Sequence, residues 1–234
     1  GMTSGDVKYH LGFSSDITTQ SGNMHLSLMF NPSHLEFINS VAMGSARARQ
    51  DKYGGEKPFD YAMPVIVHGD AAFAGQGIVM ETLAMSQTRA YGVGGSVHII
   101  ANNQIGFTTS NPIDARSSHY CSDLGKMISS PVFHVNADEV ESVIQVMQLA
   151  FEYRMKFHKD VVIDLVGYRR HGHQEVDEPR ATQPLMYKKI KARPPAARLY
   201  ANRLLQMGVI NEADYQKMID DYRMLLDKGA QVIQ

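Results

Sequence analysis

The chain has 234 residues, 44% of them hydrophobic, enough to bury one large core or two small ones. Its 23 basic and 24 acidic residues leave a net charge of −1, which argues against phosphate-backbone binding and a nucleic-acid partner. The longest apolar runs, such as Val65-Ile66-Val67, are far too short to cross a bilayer, so no membrane partner is expected.

The opening residues do not read as a secretory leader, and Gly1 ahead of Met2 reads as a cloning scar on a domain of a longer protein. From Met24 to Phe30 apolar residues alternate, which predicts a strand. Asn31-Pro32 ends it. Ser33-His34-Leu35-Glu36 has capping-box spacing, so a helix is expected to start there and run to about Arg47–Lys52, closed by Tyr53-Gly54-Gly55. Pro64 to His68 is a short apolar run typical of a strand buried on both faces, and Gly77 to Arg89 has helical spacing. Val97 to Ala101 predicts a second buried strand, and Pro131 to Val135 a third after a long loop. Asn136 and Glu139 again suggest a cap, for a helix with Val140, Val143, Ile144, Met147 and Phe151 on one face. Val161 to Val166 is the fourth buried strand, and Tyr168 to Pro179 a polar loop. From Gln183 onward the pattern is helical only, interrupted by Pro194-Pro195.

Strands alternating with amphipathic helices predict an α/β fold, a parallel sheet flanked by helices, with a helical C-terminal extension. The expected sheet core is 24–180 and the extension 181–234, together one diphosphate-binding domain.

In open parallel sheets ligands bind beyond the carboxyl ends of the strands. That rule gathers His68-Gly69-Asp70, Asn102-Asn103-Gln104-Ile105-Gly106, and Arg169, Arg170, His171 and His173 at one crevice. Asp70 and Asn103 form a hard-oxygen pair of the kind magnesium prefers. Gly75-Gln76-Gly77 precedes a helix start, where free backbone N–H groups suit a diphosphate. Taken singly these features are ordinary turn chemistry.

Together they resemble a known family. Gly69-Asp70, 31 residues, and then Asn102-Asn103 is similar to the thiamine-diphosphate motif of a Gly-Asp-Gly and a paired Asn, with Ala71 in place of the last Gly. Gly5 to His10, Asn31 to Glu36, His68 to Phe73, Asn102 to Thr109 and Tyr168 to His173 resemble the decarboxylating component of 2-oxoglutarate dehydrogenases, and the likeness runs from Ser4 to about Tyr187. It implies thiamine diphosphate and Mg2+ as cofactors. Asp70, Asn103 and the Ile105 carbonyl would hold the metal, and Ser33, Leu35 and Ala71 would line the cofactor pocket. His10 and His173 would be catalytic, facing the carbonyl or carboxylates of 2-oxoglutarate. The implied partners are a pyrimidine-binding domain of the same enzyme, a lipoyl-bearing succinyltransferase component that accepts the succinyl group, and a second copy in a homodimer. The compartment implied is the cytoplasm, or the mitochondrial matrix in a eukaryote. Without the pyrimidine-binding domain the chain is expected to be catalytically silent.

Other readings stand beside this one. A 2-oxoadipate-specific relative shares most of these motifs. His68-x-Asp70 with His171-x-His173 could hold zinc for hydrolysis, and a non-enzymatic phosphate-binding module is a third possibility. Cys121, the single cysteine, allows no internal disulfide, suits a reducing compartment and reads as a half-buried loop thiol. His25, His98 and His134 read as packed or surface strand residues, His158 as a cation at a helix end, and His34 as a residue beside a cap. Glu175, Asp177 and Glu178 read as a polar turn, and Lys188, Lys189, Lys191 and Arg193 as a solvated helix face.

Overall fold

The computed structural model describes residues 8–106, 109, 111–174 and 176–229. Its strands are β1 (Phe13–Thr19), β2 (Gly22–Leu28), β3 (Val65–Gly69), β4 (Val97–Asn102), β5 (Val132–Asn136) and β6 (Val161–Val166). The helices are α1 (Ile38–Tyr53), α2 (Pro58–Tyr61), α3 (Asp70–Gly75), α4 (Gly77–Ser86), α5 (Val140–Phe157), α6 (Pro184–Ala192), α7 (Ala196–Gln206) and α8 (Glu212–Asp227). They fall into two compact units, one of residues 34–194 and one of 1–33 with 195–234.

The larger unit is built on a parallel sheet in the order β3-β4-β6-β5. The two central strands are the most buried of the sheet, whereas the edge strand β3, expected to be buried on both faces, leaves Val65 and Val67 exposed. The bounds read for β6 coincide with those observed, β4 runs one residue further, and β3 and β5 start and end one residue later than read. On one face α5 packs against Val97, Val135, Val161 and Ile163. On the other, α3, α4 and a 3-10 segment at Cys121–Ile128 bury Phe73, Val79, Leu83, Ile100 and Val162. The α/β architecture expected from the sequence is the one observed.

Three local expectations are corrected. The first helix starts at Ile38 rather than Ser33, with no side-chain cap, because Glu36 does not fold back onto the helix. It is buried in a left-handed conformation (φ 71°), and its carboxylate accepts from Asn39 Nδ2 at 3.0 Å and lies 2.6 Å from His68 Nδ1. A contact 32 residues away in sequence displaces the local cap. At the start of α5, Asn136 Oδ1 accepts from the Asp138 N–H at 3.0 Å, forming an Asx turn in place of a capping box. Helix α5 is also rolled relative to the expected face. Ala150 and Arg154 are fully buried, whereas Ile144 and Phe151 are exposed.

Arg154 sets that roll. Its guanidinium donates to the carbonyls of Gly95 (3.0 Å), Phe59 (2.7 Å) and Val93 (3.0 Å), drawing this side of the helix onto the segments that lead into β3 and β4. Gly95 (φ 81°) is required where that chain meets Lys159: a Cβ would lie 2.2 Å from the Lys159 carbonyl.

The smaller unit contains an antiparallel hairpin. A two-residue Gln20-Ser21 connection joins β1 to β2, with Gly22 at φ 119°, and pairs Phe13 with Leu28 and Ile17 with Met24. The predicted strand at Met24 corresponds to β2, which ends at Leu28 rather than Phe30. Its partner β1 shows no comparable alternation. One hairpin face is polar and internally bonded, His25 Nδ1 lying 2.7 Å from Asp16 Oδ1. The other carries Phe13, Met24, Leu26 and Leu28, all exposed. The helical C-terminal pattern is observed as α6, α7 and α8, with Pro194-Pro195 between the first two. Helix α8 has a true capping box, in which Asn211 and Asp214 each accept the other's backbone N–H at 2.9–3.0 Å. Among the described residues no helix is long and apolar enough to cross a membrane.

Candidate functional site

Strand β3 passes directly into α3, so Asp70 occupies the first turn of a helix, where the dipole favours a carboxylate. Pairing of Gly69 with Ala101 places the turn that follows β4 beside it. Asp70 is buried (3% exposed), with the backbone N–H groups of Ala71 and Asn103 near its carboxyl. Burial pushes that carboxyl above the ordinary carboxylate range; those N–H groups and the charge of Arg116 only partly offset this. An uncompensated buried carboxyl at the crest of a parallel sheet is a place for a cation.

The neighbouring turn is tightly specified. Asn102 Oδ1 accepts from Gln104 N at 3.1 Å and Asn103 Oδ1 from Ile105 N at 3.0 Å, while Gln104 sits at φ 63°. Ala71 faces this turn: a Cβ on Gly106 would lie 4.0 Å from that of Ala71. The Ile105 side chain packs with Tyr187 and Ile190 of α6. Tyr187 in turn donates to the His171 carbonyl at 3.3 Å and lines a cavity of about 820 Å³ with Arg170, His171, His173, Arg180 and Lys191. The structure thus brings together Asp70, Ala71, Asn103 and Ile105, and Tyr187 joins their turn to the cavity that holds His173.

His173 is exposed; its backbone N–H donates to Asp177 Oδ2 at 2.9 Å, and Glu178 pairs with Arg180 at 2.7 Å. Asp177 and Glu178 therefore serve the polar turn that the sequence suggested, while Glu175 lies outside the described residues. The Arg180 side chain holds the Glu178 carboxyl down at about 2. Leu35 is exposed just before the left-handed Glu36. His10 and Ser33 belong to the smaller unit, where Ser33 Oγ lies 2.9 Å from His10 Nε2. Gly5-Asp6-Val7 ahead of His10, and Phe107-Thr108 after the turn, lie outside the described residues.

The fit to a magnesium diphosphate rests on the donor set. One carboxylate, one amide oxygen with a lone pair to spare and one backbone carbonyl are hard oxygen ligands, and magnesium leaves its remaining positions to phosphate oxygens and water. A zinc site from His68 with His171 and His173 does not form. His68 is buried, with Nδ1 on Glu36 at 2.6 Å and Nε2 facing His98 Nδ1 at 3.0 Å. Among the described residues no group of three or more His, Cys, Asp or Glu could hold a metal. The glycine pair Gly75 and Gly77 flanks a junction between α3 and α4, one short helix beyond the strand end.

His98 is packed and His134 exposed, as read for strand residues, but their acidic partners and the depth of Cys121 escaped the sequence. His98 lies 3.5 Å from Asp160 and stacks on His68. His134 lies 2.8 Å from the buried Asp164. Cys121 is fully buried at the start of its 3-10 segment rather than in a half-buried loop, and burial pushes its thiol up to about 12. These contacts follow from strand register, which no local pattern reports.

A parallel sheet with an acid–amide pair at its crest and a charged cavity alongside defines an α/β protein with a polar site beyond its strand ends. A family model described as "Dehydrogenase E1 component" matches residues 2–232, and the chain belongs to that family. It is similar to the 2-oxoglutarate dehydrogenase E1 component of Coxiella burnetii (strain RSA 493 / Nine Mile phase I), 62% identical over 234 residues, 100% of this chain and 25% of that protein. The protein of the same name from Azotobacter vinelandii is 55% identical over 235 residues, 99% of this chain and 24% of the relative. That from Haemophilus influenzae (strain ATCC 51907 / DSM 11121 / KW20 / Rd) is 52% identical over 229 residues, 98% and 24%. The chain spans about a quarter of the length of these curated relatives.

Proposed function

We propose that this chain supplies the magnesium-diphosphate half of the site in a thiamine-diphosphate-dependent 2-oxoglutarate dehydrogenase. The observation that carries the reading is the buried, under-compensated Asp70 carboxyl beside the 102–106 turn. Asp70, Asn103 and the Ile105 carbonyl would hold the metal, with Ala71, Ser33 and Leu35 against the cofactor. When bound, thiamine diphosphate supplies the carbon nucleophile and the electron sink for loss of carbon dioxide.

The chain's own residues bind, orient and move protons. The cavity lining mixes Arg170, Arg180 and Lys191 with Asp177 and Glu178; Arg180 is held by Glu178, which leaves Arg170 and Lys191 to meet the carboxylates of a dicarboxylate. His173 lines the same cavity, which supports a role for its imidazole in exchanging a proton with a bound 2-oxo acid. For His10 the support is its motif block. The relatives named for 2-oxoglutarate favour that substrate over 2-oxoadipate. Transfer of the succinyl group to the lipoyl arm of a second component, and pairing into a homodimer, follow from the same family reading. So does the need for a pyrimidine-binding domain beside this one, because near-attack geometry requires both walls of the cleft.

Calorimetry with thiamine diphosphate and Mg2+ tests the binding half, with Asp70→Ala as control; equal heats for the two proteins would remove Asp70 from the site. In the complete enzyme His173→Ala should keep cofactor affinity and lose ~100-fold or more in decarboxylation. Unchanged turnover with an unchanged pH profile would rule His173 out.

A further inference from the structure

We propose that Asp164 is a positioning residue for the metal: it locks the Asn102–Gly106 turn in the conformation that presents Asn103 and the Ile105 carbonyl. This rests on the metal site proposed above. Asp164 sits in the middle of β6 and is 1% exposed, on a strand otherwise made of Val, Ile and Leu. A buried carboxylate there is costly unless every oxygen is engaged. Register gives it a partner on each neighbouring strand. Oδ1 accepts from Asn102 Nδ2 on β4 at 2.8 Å, and Oδ2 lies 2.8 Å from His134 Nδ1 on β5. The Cys121 thiol approaches Oδ1 at 3.8 Å from the segment packed below.

The bond to Asn102 fixes which way its amide points. With Nδ2 on Asp164, Oδ1 must face the chain ahead, where it accepts from Gln104 N at 3.1 Å. That bond supports Gln104 in a left-handed conformation (φ 63°) that L residues adopt reluctantly. Gln104 Nε2 then reaches the Gly167 carbonyl at 2.7 Å, and the Gly167 N–H donates to the Asn102 carbonyl at 2.8 Å, so the exits of β4 and β6 are sewn together. Asp164 thus acts through Asn102 on a turn that it does not itself enter. Asn102 is the residue beside the metal ligand, and its own side chain is directed into the protein.

The test measures two things in the full chain: affinity for Mg2+ with thiamine diphosphate, and amide hydrogen exchange at Gln104 and Ile105. Asp164→Ala should weaken binding by ~10-fold or more, the scale of one charge-assisted hydrogen bond. It should also speed exchange at Gln104 and Ile105 while leaving the Val65–Gly69 amides unchanged. Asp164→Asn, which keeps an oxygen for Asn102, should stay within about threefold of wild type in both. If Asp164→Ala fails to fold, the swap decides. Asn102→Asp sets two carboxylates face to face and should impair both readouts, and adding Asp164→Asn should restore them. Weakened binding in Asp70→Ala alongside wild-type binding and exchange in Asp164→Ala, or no rescue in the swap, would overturn the positioning role alone. Wild-type binding in Asp70→Ala would overturn the metal reading and this role with it.

Discussion

The two ends of the parallel sheet treat buried charge in opposite ways. At the amino end Arg154 and Asp160 are fully buried and richly bonded. Arg154 donates to three carbonyls at 3.0 Å or less, and Asp160 accepts from Ser86 Oγ at 2.9 Å and Ser96 N at 3.1 Å. Burial alone would raise the Asp160 carboxyl, but His98, Ser86 and Ser96 outweigh it and leave the group below its ordinary range. At the carboxyl end Asp70 is equally hidden, yet its partners do not outweigh its burial, and it sits above that range. Charge that the fold satisfies is scaffold. On the proposed reading, the carboxyl that the fold hides without satisfying is the one kept for a ligand, whereas Arg154, also depressed by burial, is spent on backbone carbonyls.

The largest effect expected from this contrast is at the scaffold end. Arg154→Met should cost about 3 kcal/mol or more in denaturant unfolding, because several buried carbonyls lose their donor together. Arg154→Lys should recover less than half, since a single ammonium cannot reproduce the guanidinium fork. A loss under about 1 kcal/mol for Arg154→Met would mean that solvent reaches those carbonyls and that the two ends do not differ as described.

A smaller and opposite effect is expected at the crest. Asp70→Asn removes a carboxylate whose folded form is penalised, so the metal-free chain should become more stable near neutral pH. The sign follows from its raised carboxyl: unfolding is favoured as pH rises above the ordinary carboxylate value, and an amide does not titrate. The same variant should lose cofactor affinity by at least the ~10–100-fold typical of outer-shell changes at metal sites. A stability loss with unchanged affinity would place Asp70 among the scaffold charges.

The smallest effect near neutral pH, one that grows only on the alkaline side, concerns Cys121. With its thiol raised from 9.0 to about 12, the folded chain keeps the proton that the unfolded chain gives up. Its contribution is fully present below pH 9 and lost as pH rises toward 12, with a slope of about 1.4 kcal/mol per pH unit at most. Cys121→Ser should flatten the alkaline limb of a stability-against-pH curve by that amount. The native thiol should also resist modification at neutral pH, and fast labelling of folded protein would contradict its burial.

What could be read in advance follows the range of the interactions. The central strands are the largely buried ones and read as mainly apolar, and the bounds Val161–Val166 agree to the residue, but the edge strand β3, expected to be buried on both faces, exposes Val65 and Val67 along one of them. The crest residues Asp70, Asn103 and Ile105 could be named because motif spacing survives without coordinates. Local rules failed where a distant partner intervened. Ser33 and Glu36 had the spacing of a cap, but His68 captured the carboxylate. Ile144 and Phe151 fit a helical face, but Arg154 turned the helix toward the carbonyls ahead of β4. The Asp164 clamp was invisible because its partners, Asn102 and His134, become neighbours only through pairing of β6 with β4 and β5. Strand β1 went unseen because Ser14, Ser15 and Asp16 interrupt any alternation, although the Gln20-Ser21-Gly22 turn beside β2 was a usable signal.

The most direct measurement at the crest is electron–nuclear spectroscopy of the chain with Mn2+ in place of Mg2+, thiamine diphosphate added, and isoleucine labelled with 13C at the carbonyl. Couplings to 31P and to one 13C carbonyl are expected, with no 14N coupling from imidazole, and the 13C signal should vanish when the label is withheld. An imidazole coupling, or 31P coupling without any isoleucine carbonyl, would contradict a metal held by Asp70, Asn103 and Ile105.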